Sequence, residues 1–230
     1  MPHEFSMIFP HYLLNVNAAE VILADGRGDQ CVPSWVFRGL WETSFVVVRR
    51  GVQTLERVPV GIRGPLRSQR RAAWCPPEAI GQIVTPTDLL NRVARTRDSH
   101  SSVALRSLRL LAVDWQWFTH SCWGPGGSVG FELATGKLAT TPQSDLDIVI
   151  YANEYLSRSD AQRLLVSARD LELAVDIRVE TPLCGFSLSE YASPSAKSIL
   201  LRTSAGPILG DDPWNEDLRS MSLPLGGSEW

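Results

Sequence analysis

The chain has 230 residues and a formal net charge of −3, a length that allows one large domain or two small ones around a buried core. The acidic balance lacks the basic footprint of a nucleic-acid-binding protein, and no stretch approaches the roughly 18 consecutive apolar residues of a membrane-spanning helix. With no signal-peptide pattern near Met1 and no CxxC spacing among its four Cys, the sequence predicts a cytoplasmic protein with reduced, mostly buried thiols and neither nucleic acid nor membrane as a partner.

Residues 1–85 predict a small β-rich or α+β module. The aromatic segment Ser34–Trp41 is interpreted as part of a strand-like pattern, and the continuous apolar run Phe45–Val48 predicts a strand. The segment Arg57–Ile62 alternates weakly, and Pro59 within it favours an edge strand or a bulge.

The module ends in an Arg-rich loop, residues 61–71, with four Arg in its last nine positions. Such a cluster is either a solvated surface loop or a phosphate-binding loop. Guanidinium groups bind phosphate in bidentate fashion, and Gly61 and Gly64 would let a ligand approach the backbone. The phosphate-binding interpretation makes three residues candidates for substrate binding: Arg63, Arg67 and Arg70.

Residues 86–230 predict a second domain with an α/β core. The segment Thr85–Asp88 has the pattern of a helix start, with Pro at the first helical position. A second helix is predicted from about Ser102 to Trp117, because its apolar residues have helical spacing. Farther along, Ser159 and Gln162 form a capping box that predicts another helix.

Two motifs lie between these predicted helices. Gly126, Gly127 and Ser128 form a small-residue turn whose backbone N–H groups are suited to phosphate. Seventeen residues after Ser128 come Asp145 and Asp147, which begin a predicted buried strand and share one face of it. Two such carboxylates repel each other without a cation, and they suit Mg²⁺. Each motif alone is more often a linker or a solvated turn, but their order and distance favour a site.

Two further segments leave alternatives open. Residues 128–135 alternate as a strand would, but Ser128 could equally cap a short helix that ends at Gly136. Residues 173–180 alternate as a strand, with Asp176 and Arg178 together on its polar face. Asp176 is either a salt-bridge partner of Arg178 or a third metal-binding carboxylate.

The order of these motifs resembles the sequence pattern of the polymerase-β-like nucleotidyltransferases. That pattern is a Gly-Ser turn, then two Asp on the next strand, then a third Asp on a later strand. From about Pro10 to Trp214 the chain further resembles the phosphoribosyl-dephospho-CoA transferases of malonate decarboxylase, the holo-acyl-carrier-protein synthases. The resemblance is carried by the strings GPGGSVGFELATG, SDLDIVI, VDIRVETPLCGFSLSEYA, LLRTSAGP and DDPW, and in the front half by FVVVRR, VPVGIRGPLRSQR and VTPTDLL. One departure is that His11 is followed by Tyr12, where that family usually has Asp.

The resemblance implies an α/β (α+β) fold, with a mixed-sheet nucleotidyltransferase core behind the smaller N-terminal module and a helix at residues 128–135. It implies that phosphoribosyl-dephospho-CoA passes from its triphosphate donor to a Ser of the acyl carrier protein subunit of malonate decarboxylase, with Mg²⁺ as cofactor and pyrophosphate as product. The implied catalytic and metal-binding residues are Asp145, Asp147 and Asp176, and those implied to bind the donor are Gly127, Ser128, Arg63, Arg67 and Arg70.

Two other functions remain open. The first is a nucleotidyltransferase that uses an ordinary nucleoside triphosphate and another acceptor, since its metal site would be the same. The second is a non-catalytic module that binds a carrier protein or a CoA derivative. The presence of all three candidate Asp disfavours this second alternative.

Overall fold

A computed structural model describes residues 8–23, 32–66, 68–95 and 102–218. Within these residues the chain forms twelve β-strands and six α-helices, which confirms the predicted mixed α/β class. The chain divides into two units, each with a six-stranded sheet. One unit runs to Thr85 and includes Ala134–Ala139, and the other comprises Pro86–Leu133 and the chain from Thr140 onwards. Across the described ranges, no helix combines the length and the apolar character that crossing a membrane requires.

The sheet of the first unit is antiparallel throughout its described pairs. Its strands are β1 (Leu13–Val16), β2 (Ile22–Leu23), β3 (Phe45–Val48), β4 (Val58–Arg63), β5 (Arg70–Cys75) and β6 (Ile80–Val84), in the order β2-β5-β4-β3-β1-β6. The apolar run at 45–48 is therefore a strand, as predicted. Helix α1 (Ser34–Thr43) adds the α element of this unit.

Helix α1 corrects the strand-like interpretation of Ser34–Trp41. Val36 and Leu40 are buried, while Phe37 and Trp41 are exposed. Arg38 is exposed as well, although strand alternation would bury it together with Val36 and Leu40, whereas the spacing of four between the two buried residues is close to one helical turn. The aromatic content of the segment concealed this period.

The prediction that Pro59 marks an edge strand or a bulge is also wrong, because β4 lies between β3 and β5. Pro59 lies one residue beyond Val48–Val60, the last residue pair between β3 and β4. Its carbonyl accepts the Arg49 N–H at 2.8 Å. The N and O atoms of one strand residue point to the same side of the strand. The Pro59 nitrogen therefore points toward β3, at a position beyond the last residue pair of β3 and β4. The absence of its N–H thus costs no hydrogen bond to β5.

The described thiols differ in exposure. Cys75 and Cys184 are buried and Cys122 is exposed, and none of the three is in a disulfide. Burial, assisted by the charges of Glu20 and Glu78, raises the pKa of Cys75 to about 12. Cys31 lies outside the described residues.

Alkylation of the folded protein with iodoacetamide at about pH 8 is expected to modify Cys122 and to spare Cys75, because the thiolate is the reactive species. Peptide mass spectrometry would locate the modified residues, and the urea-unfolded chain is the control in which every thiol reacts. Modification of Cys75 in the folded protein as fast as in the unfolded one would contradict its placement in the core.

The sheet of the second unit is mixed. Its strands are β7 (Cys122–Pro125), β8 (Leu146–Tyr151), β9 (Val175–Glu180), β10 (Gly185–Ser187), β11 (Ile199–Arg202) and β12 (Pro207–Gly210), in the order β12-β11-β10-β9-β8-β7. Its helices are α2 (Pro86–Arg95), α3 (Val103–Asp114), α4 (Gly127–Thr135), α5 (Arg158–Arg169) and α6 (Leu188–Tyr191). Among the described pairs, β8 and β9 alone are parallel.

The helix predictions for this unit hold, although α4 and α5 each start earlier than predicted. Helix α2 begins at Pro86, and α3 begins after Ser102, whose Oγ accepts the Leu105 N–H at 3.3 Å. Residues 128–135 are helical, as the resemblance implied. Ser128 does not cap this helix, however, because the carbonyl of Gly126 already accepts an intrahelical bond from the Gly130 N–H at 2.7 Å.

Helix α5 also starts earlier than its predicted capping box. Ser157, and not Ser159, is the cap. Its Oγ accepts the Asp160 N–H at 3.0 Å and lies 2.7 Å from a carboxylate oxygen of the same residue. Asp160 stands three residues after the cap, as Gln162 does after Ser159, so two overlapping capping patterns were present and the earlier one formed.

The core of the second unit fixes which way the acidic residues point. Leu146, Ile148 and Ile150 of β8 are buried in one cluster with side chains of α3 and α5. Because neighbouring strand residues point to opposite faces, Asp147 lies on the face away from these helices. The same argument, through Ile177 of β9, places Asp176 on that face.

Candidate active site

The parallel pair β8–β9 brings two of the predicted acids side by side. Asp147 is directly opposite Asp176 in the register of the two strands. Adjacent strands lie roughly 4.8 Å apart, so the two carboxylates are close neighbours on one face. Asp145 immediately precedes β8, where the Leu146 N–H donates to the Ala174 carbonyl at 3.0 Å. It lies two residues before Asp147 and thus at the same end of that face.

The Gly-Ser turn lies against Asp147. Strand β7 pairs with β8 as far as Pro125 and Ile148, and the Gly126 N–H then donates to the Asp147 carbonyl at 2.9 Å. Gly127 follows with a φ of 51°. A Cβ placed on Gly127 would overlap the carboxylate of Asp147, so the Asp side chain occupies the space that any other residue there would need.

Helix α4 starts at this turn, with Gly127 as its first residue and the largely buried Ser128 as its second. The first N–H groups of a helix have no intrahelical acceptor, and the helix dipole gives this end a partial positive charge. Both effects favour an anion such as phosphate. The turn therefore places a phosphate-suited helix end next to a carboxylate suited to a divalent cation.

Asp176 is held by Arg178 in this structure. Nη2 and Nε of Arg178 donate to Oδ2 of Asp176 at 2.9 and 3.2 Å. Their side chains are 32% and 40% exposed, so the pair faces solvent in part. The salt-bridge alternative weighed for Asp176 is thus what the structure shows, and its role as a third metal ligand stays a prediction.

The acids match a divalent ion in chemistry and in register. Carboxylate oxygens are the ligands that Mg²⁺ and Mn²⁺ prefer, and Asp147 and Asp176 lie opposite each other on adjacent strands with Asp145 two residues away. In the part of the chain that is described, no three His, Cys, Asp or Glu side chains already converge on one point. The three acids therefore fit the ion in chemistry and register, and Arg178 occupies one oxygen of the third, Asp176.

Two further residues lie on this face. The sequence analysis considered Arg178 only as a salt-bridge partner and did not consider Ser187. Arg178 contacts Asp176, and Ser187 of β10 is directly opposite Arg178 in the β9–β10 register. Ser187 is largely buried, and its Oγ lies 2.9 Å from that of Ser189. A three-residue strand is too short to show periodicity, so only the strand pairing places Ser187 here.

The structure describes part of the Arg-rich loop, within the first unit. Arg63 ends β4 opposite Arg70, the first residue of β5. The Arg70 Nη1 donates to the carbonyls of Gln69 and Leu66 at 3.1 and 3.4 Å. Gly64 is needed for internal packing, because a Cβ there would meet Trp35 and Gln69.

One expectation for this loop, the role of its two Gly, changes accordingly. The small size of Gly64, and of Gly61 against the Arg49 side chain, is explained by packing within the unit and is no sign of ligand approach. Arg67 lies outside the described residues. A phosphate-binding role for the three Arg side chains remains a prediction that rests on their local concentration.

Comparison with known proteins bears on the chain as a whole. The model of the phosphoribosyl-dephospho-CoA transferase MdcG C-terminal domain matches residues 89–213, and that of the corresponding N-terminal domain matches residues 9–86. The chain belongs to this family. The phosphoribosyl-dephospho-CoA transferase resemblance inferred from the sequence is thereby confirmed, and the C-terminal match includes Gly127, Asp145, Asp147 and Asp176.

Curated phosphoribosyl-dephospho-CoA transferases are similar over most of their length. The protein of Pseudomonas fluorescens (strain Pf0-1) is 36% identical over 183 residues, which cover 80% of this chain and 86% of the relative. That of Pseudomonas aeruginosa is 37% identical over 185 residues, covering 79% and 85%. That of Klebsiella pneumoniae (strain 342) is 33% identical over 211 residues, covering 90% and 97%. No solved structure matches the chain.

Proposed function

We propose that the chain is a cytoplasmic, Mg²⁺-dependent enzyme that transfers phosphoribosyl-dephospho-CoA from its triphosphate donor to a Ser of the malonate decarboxylase acyl carrier protein, releasing pyrophosphate. Family membership supports the identity of the transferred group. The observation that carries the chemistry is the pairing of Asp147 with Asp176 beside the Gly127 turn. It combines cation-binding carboxylates with a phosphate-suited helix end.

The reaction exchanges one phosphorus–oxygen bond for another. The Ser oxygen of the carrier bonds to the phosphorus nearest the ribose, the bond from that phosphorus to the pyrophosphate oxygen breaks, and the hydroxyl proton passes to a carboxylate. Asp176 is the candidate acceptor of that proton. Mg²⁺, held by Asp145, Asp147 and Asp176, would neutralise charge on the triphosphate.

The turn and the Arg-rich loop are proposed to bind the donor. Backbone N–H groups at Gly127 and Ser128 suit the outer phosphates, since they begin helix α4. Arg63, Arg67 and Arg70 would add positive charge toward the donor. Because these contacts form before reaction, they are expected to act on binding more than on the rate of the chemical step.

The proposal is tested by the intact mass of the carrier protein after incubation with this chain, the triphosphate donor and Mg²⁺. We expect the carrier to gain the mass of one phosphoribosyl-dephospho-CoA group, and a carrier with the acceptor Ser→Ala to gain nothing. Labelling from an ordinary nucleoside triphosphate would favour the broader nucleotidyltransferase alternative. Metal-independent binding of an unmodified carrier would favour the non-catalytic module.

Arg63→Ala and Arg67→Ala are each expected to raise KM for the donor by roughly tenfold, while kcat changes little, because a lost charge-assisted phosphate contact weakens ground-state binding. Steady-state rates against donor concentration would give both constants. Arg38→Ala removes the same charge from an exposed position on α1 and is the matched control. An unchanged KM in both loop variants would return the loop to the solvated-surface interpretation.

A further inference from the structure

Arg178 is a basic residue on the acidic face of the second sheet. It lies two residues after Asp176 on β9, and its pairing with Val149 of β8 places it in the next row after Asp147 and Asp176. Among the described residues, its hydrogen bonds go to one oxygen of Asp176 only. Arg178 thus occupies one oxygen of an acid that the proposed function requires for a metal ion.

A metal ion and Arg178 compete for Asp176. Oδ2 of Asp176 accepts two donors from the guanidinium, and the same carboxylate would serve as a hard oxygen ligand. A guanidinium at 2.9 Å from that oxygen also repels a second cation placed beside it. The pair is partly exposed, and ion pairs of this kind contribute little to stability, so little opposes its opening.

Once released, the guanidinium needs another anion. A triphosphate offers oxygens that a guanidinium binds in bidentate fashion. Ser187, opposite Arg178 across β9 and β10, adds a hydroxyl to the same row. A metal–triphosphate complex therefore supplies both a cation for Asp176 and an anion for Arg178, whereas a bare metal ion supplies only the first.

We propose that Arg178 couples metal binding to triphosphate binding. In the donor-free protein Arg178 holds Asp176, and when the metal–triphosphate complex arrives Asp176 passes to the metal and Arg178 to the phosphates. The inference rests on the proposed function and adds a condition to it: the complete ligand set forms only with the donor present. Because coupling is reciprocal, metal and triphosphate each raise the affinity for the other.

The coupling predicts that one variant binds the metal ion alone more tightly and the metal–triphosphate complex more weakly. Arg178→Gln is expected to bind Mn²⁺ alone at least about threefold more tightly, because Asp176 is released and a repelling charge is removed. The same variant is expected to bind the preformed complex of Mn²⁺ with inorganic tripolyphosphate at least about fivefold more weakly. Isothermal titration calorimetry measures both, and electron paramagnetic resonance reports free Mn²⁺ independently.

Two comparisons isolate Arg178. Arg169→Gln removes the same charge from an exposed residue of α5, on the other side of the sheet, and is expected to change neither affinity. In an Asp176→Asn background, Arg178→Gln is expected to give a smaller gain in Mn²⁺ affinity, since only the repulsion by the guanidinium is then removed. If Arg178→Gln does not fold, Arg178→Lys keeps the charge, lacks the two-donor contact, and is expected to show the same two signs with smaller size.

Unchanged Mn²⁺ affinity in the folded Arg178 variant, or a loss of affinity for both Mn²⁺ and its tripolyphosphate complex, would overturn the coupling. If wild-type Mn²⁺ binding is lost in Asp147→Asn and unaffected by Arg178→Gln, the coupling fails and the proposed metal site stands. If the wild-type protein binds neither Mn²⁺ alone nor its complex with tripolyphosphate, both the coupling and the metal dependence of the proposed function fail.

Discussion

Replacing Asp147 with Asn is expected to lower carrier modification by roughly a hundredfold or more, because this residue pairs with Asp176 and contributes a charged metal ligand. The fold is expected to remain. Neighbouring carboxylates repel each other when no cation is bound, so removing one leaves the free energy of unfolding unchanged or slightly higher. Single-turnover transfer and urea denaturation of the same preparation measure the two effects. Asp145→Asn is expected to behave in the same way.

Asp170→Asn is the matched control for both variants. Asp170 is exposed at the C-terminal end of α5, a helix that packs against the opposite face of the sheet, and its loss is expected to leave transfer unchanged. Transfer above about a tenth of the wild-type rate in Asp147→Asn would remove this residue from the metal site, since a lost ligand costs more than that.

Gly127→Ala is expected to abolish transfer almost completely. Its Cβ would overlap the carboxylate of Asp147, so that either the acid or the turn must move. Gly127 also has a φ of 51°, where a residue with a side chain costs about 1–2 kcal/mol. The expected result is therefore a modest loss of stability together with a large loss of activity, measured by thermal unfolding and by the carrier mass assay.

Gly136→Ala separates these two causes. Gly136 follows the same helix with a φ of 71°, and a Cβ there meets nothing within 4 Å. It carries the cost of the backbone conformation without any overlap. We expect both variants to lose comparable stability and only Gly127→Ala to lose transfer. If the two variants transferred equally well, the contact between the turn and Asp147 would be irrelevant to activity.

The sequence predicts features that depend on local periodicity and on nearby capping residues. The apolar run at residues 148–150, which follows two Asp, correctly predicted a strand and the face on which its acids lie. Pro86 correctly predicted the first residue of a helix. Capping failed where two patterns overlapped, because Ser157 and Ser159 each have a suitable partner in the next turn. Local signals rank such alternatives poorly.

Long-range pairing is what the sequence leaves open. Asp147 and Asp176 are separated by a helix and two loops, and only the parallel register of β8 and β9 places them opposite each other. Alternation predicts that Asp176 and Arg178 share a face, but it does not say whether they bind each other or a ligand. Pro59 illustrates the same limit. An interior strand tolerates this Pro only because β3 ends at Val48, and the sequence does not show where the neighbouring strand ends.

The central claim is that transfer depends on a divalent ion held at Asp147 and its neighbours. The most direct measurement is the initial rate of carrier modification after metal removal by EDTA, followed by titration with Mg²⁺, in the wild-type protein and in Asp147→Asn. The account predicts that the wild-type rate falls to background without metal and recovers with Mg²⁺, while the variant stays near background at any Mg²⁺ concentration. Full wild-type transfer in the absence of a divalent ion would contradict it.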